Sequence, residues 1–166
     1  DSEEAHERIS QGKLEIAVVT LGGNLDTPIN SELIWQDELI VVTSSDHHLL
    51  RFRDVSLATL SQFPAILPGL NTYTGQIIKH RFEQQQLKLD VSMSTNYLES
   101  IKMMVSVGLG WSVLPKTMLA EDIRELKVAD LHLQRPLGYI YHRNHTLSNA
   151  AMAFVDILRQ HSDQKN

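Results

Sequence analysis

Ser44, Ser45, Asp46 and His47 are consecutive, and hydroxyl, carboxylate and imidazole are the groups of a hydrolytic triad. Adjacent residues rarely reach the base-to-nucleophile and base-to-orienter geometry that a triad needs. No G-x-S-x-G elbow, H-E-x-x-H helix or complete P-loop occurs either, so no catalytic residue is assigned and the chain reads as a non-enzyme. The eight histidines raise the question of a metal. His47 and His48 are neighbours and would face opposite ways on a strand, while His142 and His145 straddle a strand end and a loop, without an acidic partner at ligand spacing. Neither a metal nor a cofactor is expected.

The remaining chemistry is that of hydrogen bonding at helix starts. Asn71, Thr72 and Thr74 precede or open a helix, and each side chain can either cap it or meet a ligand at its N-terminus. Asn96, before YLESIKMM, poses the same choice and is read first as an N-cap. Gly22 and Gly23 either make a turn or let the backbone approach a ligand. Residues 98–119, LESIKMMVSVGLGWSVLPKTML, hold a GLG, but here a helix comes first and a strand follows, the reverse of a phosphate-binding loop. Gly108 is therefore expected to end the helix in a left-handed conformation.

The elements that must position these residues are legible from periodicity. A short helix opens at Ser2 with Glu3 and Glu4 in its first turn and stops at Gly12. KLEIAVVT is a nearly continuous apolar run and predicts a strand covered on both faces; LIWQDELIVVTSS predicts a long strand with a polar interruption. Then come a short helix in DVSLATLSQFP, a buried strand AILP, a helix in TGQIIKHRFEQQQ, a strand LDVSMST, a helix in NYLESIKMMVSV and a strand WSVLP. KTMLAEDIREL reads as a loop with a short helix, and VADLHLQRPLGYIYHR as strand interrupted by Pro136. The last helix starts near Ser148, with Leu147 and Met152 as a staple and Ala151, Phe154, Val155 and Leu158 on its apolar stripe. Trp35, Trp111, Met103 and Met104 read as core packing. Alternating strands and helices predict an α/β fold with mostly parallel strands, and the two broken strands are candidates for crossings between two lobes.

Bulk properties narrow the function. At 166 residues the chain can bury one core or two small ones. Fifteen basic against 20 acidic residues give a net charge of -5, without the basic surplus that phosphate-backbone binding draws on. The chain has no cysteine, hence no disulfide or thiolate chemistry, and no apolar run of membrane-spanning length; a cytoplasmic protein without membrane contact is expected.

The runs GKLEIAVVT, LIWQDELIVVTSSDHHLL, DVSLATLSQFPAILP, YLESIKMMVSVGLGWSVLPKTML and RPLGYIYHRNHTLSNAAMAFVDIL, in this order and spacing, resemble the effector-binding (substrate-binding) domain of LysR-type transcriptional regulators over almost the whole chain. The resemblance implies a two-lobed fold like the type 2 periplasmic binding proteins, with two crossover strands and a small-molecule site in the cleft. It implies lobe I at residues 1–42 and 140–166, without its first strand, helix and strand, and lobe II at residues 43–139. The winged helix-turn-helix of the family is absent from this sequence. Loops at strand ends would contact the effector: Thr20, Gly22 and Gly23, then Pro68, Asn71, Thr72 and Thr74, then Thr95 and Asn96, and Pro115. Helix N-termini at such loops favour an anion such as a carboxylate. The implied protein is a homodimer or homotetramer that meets DNA only through the N-terminal domain. A solute-binding protein serving a transporter and a hydrolase are the alternatives.

Overall fold

The computed structural model describes residues 2–22 and 28–162, which fall into two compact units. The chain passes from one to the other between Gln36 and Asp37 and back between Gln134 and Arg135, each time within a strand. Both passages lie earlier than the boundaries at 42 and 140 expected from the sequence.

The first unit holds α1 (Ser2–Ser10), β1 (Ile16–Thr20), the start of β2 (Ile29–Ser44), most of β7 (Leu133–His142) and α5 (Asn149–Ser162). Its strands run in the order β1, β7, β2. β1 pairs antiparallel with β7, from Ile16 opposite Tyr141 to Thr20 opposite Leu137. Alternation along β7 then sends Ile140 to one face and Tyr139 and Tyr141 to the other. On the first face Ile140 packs with Val19, Ile29 and Ile9 of α1; on the second Tyr139 packs with Ile34, Val155 and Leu158 of α5. Ala151, Val155 and Leu158 are buried as the helical stripe predicts, whereas Phe154 is exposed. β1 also departs from expectation. Its burial is uneven, and Val18 keeps 44% of its surface in solvent, because β1 is the outer strand of this order.

The second unit holds the rest of β2, α2 (Leu57–Leu60), β3 (Ala65–Leu67), α3 (Tyr73–Gln84), β4 (Val91–Ser94), α4 (Leu98–Ser106), β5 (Ser112–Pro115) and β6 (Ile123–Leu126). A 3-10 turn at Lys116–Met118 and the strand β6 replace the short helix expected after Pro115. β2 carries β5 and β6 on opposite edges, both antiparallel, with Val41 facing Val113 on one side and Leu126 on the other. β3 pairs in parallel with β4, and Ala65 bridges in parallel to Trp111. Among the described residues parallel pairing joins β3 to β4 and forms the isolated bridges Ala65–Trp111 and Val55–Val128, whereas the pairings of β1 with β7 and of β2 with β5 and β6 are antiparallel, unlike the mostly parallel strands expected from the alternating pattern.

Trp111 anchors this unit. It is 1% exposed, lies stacked near Phe82 of α3 at 5.9 Å, and its indole N–H donates to the carbonyls of Leu60 and Phe63. The polar handle is satisfied, so the large ring is buried without an orphaned donor. Gly108 has φ of +82° and its N–H reaches the Val105 carbonyl, ending α4 as expected. Met104 packs against the core, while Met103 is exposed.

Candidate functional site

Parallel pairing of β3 with β4 places their carboxyl ends side by side, and the loops that leave them carry the candidate residues. After β3 the chain passes through buried Pro68 to Gly69 and exposed Asn71, then enters α3 at Thr72. Thr72 is the N-cap: its hydroxyl accepts from the Gly75 N–H at 3.2 Å and donates to the Gly69 carbonyl at 2.7 Å. The Gln76 side-chain amide donates to the Leu70 carbonyl. Gly75 makes the close approach possible, since a Cβ there would collide with the Gly69 carbonyl and the Leu70 backbone. Thr74 is buried in the first turn of α3.

Asn96 departs from the cap reading. The N-cap of α4 is Tyr97, without a side-chain cap bond, and the Asn96 Oδ1 instead accepts the Gly69 N–H at 3.0 Å. Thr95 N–H donates to the Leu67 carbonyl at 3.3 Å, and the Thr95 hydroxyl accepts from Tyr97 N–H at 3.4 Å. The two loops are therefore one hydrogen-bonded structure in which Gly69, Asn71, Thr72 and Asn96 converge. A Cβ at Gly69 would lie 2.7 Å from Asn71 Oδ1 and 3.3 Å from Asn96 Oδ1. These side chains carry no formal charge; they offer amides and a hydroxyl beside the N-terminus of a 12-residue helix.

The remaining predicted positions lie elsewhere in the sequence. Pro115 is buried at the end of β5 and precedes Lys116, whose ammonium meets both Glu38 carboxylate oxygens at 3.0 and 2.9 Å. The hydrogen bond to Glu38 raises the Lys116 pKa and keeps it charged. Thr20 and Gly22 belong to the first unit; Thr20 is buried and its N–H donates to Ser2 Oγ at 3.2 Å. Gly23 lies outside the described residues.

The triad types are not assembled. Ser44 Oγ donates to Asp46 at 2.9 Å, whereas His47 Nδ1 accepts the Leu49 N–H at 3.1 Å and so caps its own turn. Burial lowers the His47 pKa first, with the nearby His48 adding to the effect. His142 and His145 stack with ring centroids 4.0 Å apart.

Two features escaped the sequence reading. In the first unit Arg159 holds Glu32 through two nitrogens at 2.8 and 2.6 Å, and Tyr139 donates to the same carboxylate at 2.5 Å. The Arg159 hydrogen bonds outweigh burial and hold the Glu32 carboxyl down at about 2, while burial and the carboxylate push Tyr139 up to about 12. In the second unit a cavity of about 360 Å³ opens beside β2. Both join residues far apart in sequence, so no local motif announces them.

Residues 1–163 match the LysR substrate binding domain family. The HTH-type transcriptional activator CmpR of Synechocystis sp. is 31% identical over 145 residues, covering 84% of this chain and 47% of its own. The HTH-type transcriptional regulator YeiE of Escherichia coli is 32% identical over 135 residues, covering 78% of this chain and 46% of its own. The chain spans about half the length of these curated relatives. Among solved structures, the effector binding domain of QuiR in complex with shikimate superposes with a TM-score of 0.86 at 17% identity, over 99% of this chain and 79% of that one. The Synechocystis CcmR regulatory domain in complex with 2-PG gives 0.86 at 19% identity, over 100% and 81%. The named relatives are transcriptional regulators, neither transport proteins nor hydrolases.

Proposed function

Because the chain belongs to the LysR substrate binding domain family, and is the effector-binding domain of a LysR-type transcriptional regulator, we propose that it senses a small anion at the joined loops after β3 and β4. The observation that carries this reading is the hydrogen bond from Gly69 N–H to Asn96 Oδ1, which couples the start of α3 to the start of α4. An anion at this cluster would meet neutral amide donors and the positive end of the α3 dipole, which stabilise a carboxylate or phosphate without a fixed countercharge. Pro68, Asn71, Thr72, Thr74, Thr95 and Asn96 form or brace these loops. Pro115, in the same unit, is a further contact position in this proposal.

Ligand binding would shift the population of domain conformations, and a homodimer or homotetramer would pass that shift to DNA through an N-terminal domain outside this chain, in the cytoplasm. The QuiR domain is in complex with shikimate and the CcmR domain with 2-PG, and both molecules serve here as probes.

The test is a melting screen with 2-PG, shikimate and other small carboxylates and phosphates, each against a neutral amide or ester analogue. A ligand selective for the native state raises Tm by mass action, so an anion is expected to raise it while its neutral analogue does not. Equal stabilisation by the neutral analogues, or by no member of the panel, would overturn the anionic reading.

A further inference from the structure

His47, at the end of the loop that leaves β2, is the N-cap of a 3-10 turn at His48–Arg51. Its Nδ1 accepts the Leu49 N–H at 3.1 Å, so the Nδ1 lone pair, and with it the neutral Nε2–H tautomer, is part of the folded turn. Two backbone bonds complete the turn: Leu50 N–H donates to the His47 carbonyl at 3.0 Å and Phe52 N–H to the Leu49 carbonyl at 3.3 Å. The turn carries Leu49, fully buried in the core that also holds Val55, Leu57, Leu60 and Trp111. The half-buried imidazole lies 5.7 Å from the Phe63 ring, which meets Phe52 edge-on at 6.1 Å.

A proton added to this ring breaks the cap. An imidazolium bears hydrogen on both nitrogens and only donates, so an Nδ1–H would face the Leu49 N–H, donor against donor. The surroundings oppose the charge as well. Burial lowers the His47 pKa first, the neighbouring His48 adds to the effect, and Asp46 acts in the other direction without cancelling it. Among the described residues His48 and Asp46 are the charged groups that act on His47; Asp46 also accepts from Ser44 Oγ at 2.9 Å, and Phe63 brings a ring without charge. The unfolded chain takes up this proton near pH 6.5 and the folded chain only at lower pH. Neutral His47 therefore stabilises the fold fully above pH 6.5, and that contribution is lost as pH falls below it.

We infer that His47 makes the His48–Arg51 turn a proton-sensitive element of the second unit, in which mild acid releases the Leu49 N–H and opens the turn over the core. Uptake of one proton per chain exchanges a side-chain cap for an imidazolium that leaves the Phe63 ring for solvent and the adjacent Asp46. This inference does not rest on the reading of the loops after β3 and β4.

The test is a titration of the nitrogen-labelled 166-residue chain from about pH 8 to about pH 5, read at the His47 ring nitrogens and at the amides of Leu49, Leu50 and Phe52. His47 is expected to be unprotonated at Nδ1 at the upper end, and its ring and the Leu49 amide to titrate with one midpoint below 6.5. Across that midpoint the protection of Leu49 N–H, corrected for the intrinsic pH dependence of exchange, should fall roughly fivefold, the worth of a typical side-chain cap. The response should persist in His48→Gln, which removes the neighbouring imidazole, with its midpoint moved up. In His47→Asn, whose side-chain carbonyl caps without titrating, Leu49 should stay protected throughout. A hydrogen on Nδ1 at neutral pH, a Leu49 amide that does not follow the ring, or a response that persists in His47→Asn would each overturn the inference.

Discussion

Asn96 Oδ1 accepts the Gly69 backbone N–H at 3.0 Å, across 27 positions of sequence, and this bond ties the loop after β3 to the loop after β4. It is a side-chain link that joins two strand-end loops into a single candidate surface. Removing it should loosen the surface before it unfolds the unit.

Asn96→Ala is expected to cost about 0.5 to 1.5 kcal/mol of stability, toward the lower end because the bond is exposed. Gly69 N–H should also exchange with solvent faster than in the parent chain. Hydrogen exchange followed residue by residue checks this; an unchanged Gly69 rate would mean that the loop holds its shape without Asn96.

Thr72 braces the same loop from the other side, as cap of α3 and donor to Gly69. Thr72→Ala should lower stability by about 1 kcal/mol, and Thr72→Ser, which keeps the hydroxyl, should recover most of it. Urea unfolding of the three proteins decides it. Equal loss in the serine variant would assign the effect to the Thr72 methyl rather than to the cap.

The Glu32, Tyr139 and Arg159 cluster predicts both limbs of the pH profile. The Glu32 carboxyl is held from its ordinary 4.5 down to about 2, chiefly by the Arg159 hydrogen bond, so its stabilisation is complete above pH 4.5 and is lost as pH falls toward 2. Tyr139 is raised by burial from 10.0 to about 12, so its neutral form stabilises the fold below pH 10 and that contribution fades as pH rises toward 12. Glu32→Gln should lower stability at neutral pH and flatten the limb between pH 4.5 and 2; Tyr139→Phe should cost about 1 kcal/mol. Urea midpoints measured across pH check both, and an acid limb as steep in Glu32→Gln as in the parent would assign that limb to other carboxylates.

β1 predicts an alternation in hydrogen exchange. Leu21 N–H donates to the Pro136 carbonyl on β7, while Thr20 N–H points away to Ser2 Oγ. The two-residue alternation puts the Val18 N–H on the outer edge with that of Thr20, and those of Ala17 and Val19 toward β7. Val18 should exchange faster than Ala17 and Val19. Equal protection of all three would show that something else covers this edge, as sheet edges usually are.

What the sequence made legible followed from local physics. Gly108 announced the end of α4 because positive φ is a property of one residue, and AILP, WSVLP and the long LIWQDELIVVTSS run are recognisable as strands from composition alone. Thr72 was readable as a cap for the same reason. Asn96 was not, because its partner is Gly69 rather than the helix it precedes. The continuous apolar run of β1 suggested cover on both faces, yet whether a strand is central or outer is decided by its neighbours and leaves Val18 exposed. IREL carries two charges in four residues and became β6 only because β2 offered it an edge. Phe154 and Met103 sit at helical spacing beside buried residues, but each turns to solvent.

A small anion is proposed to contact the joined loops after β3 and β4. The most direct test of this contact is an amide-resolved titration of the nitrogen-labelled chain with the anion that raises Tm most. The backbone amides of Gly69, Thr72 and Asn96 and the Asn96 side-chain amide are expected to shift together and saturate at one midpoint, the same as that of the melting data. An anion that stabilises the chain while these amides stay in place and others move would contradict that contact.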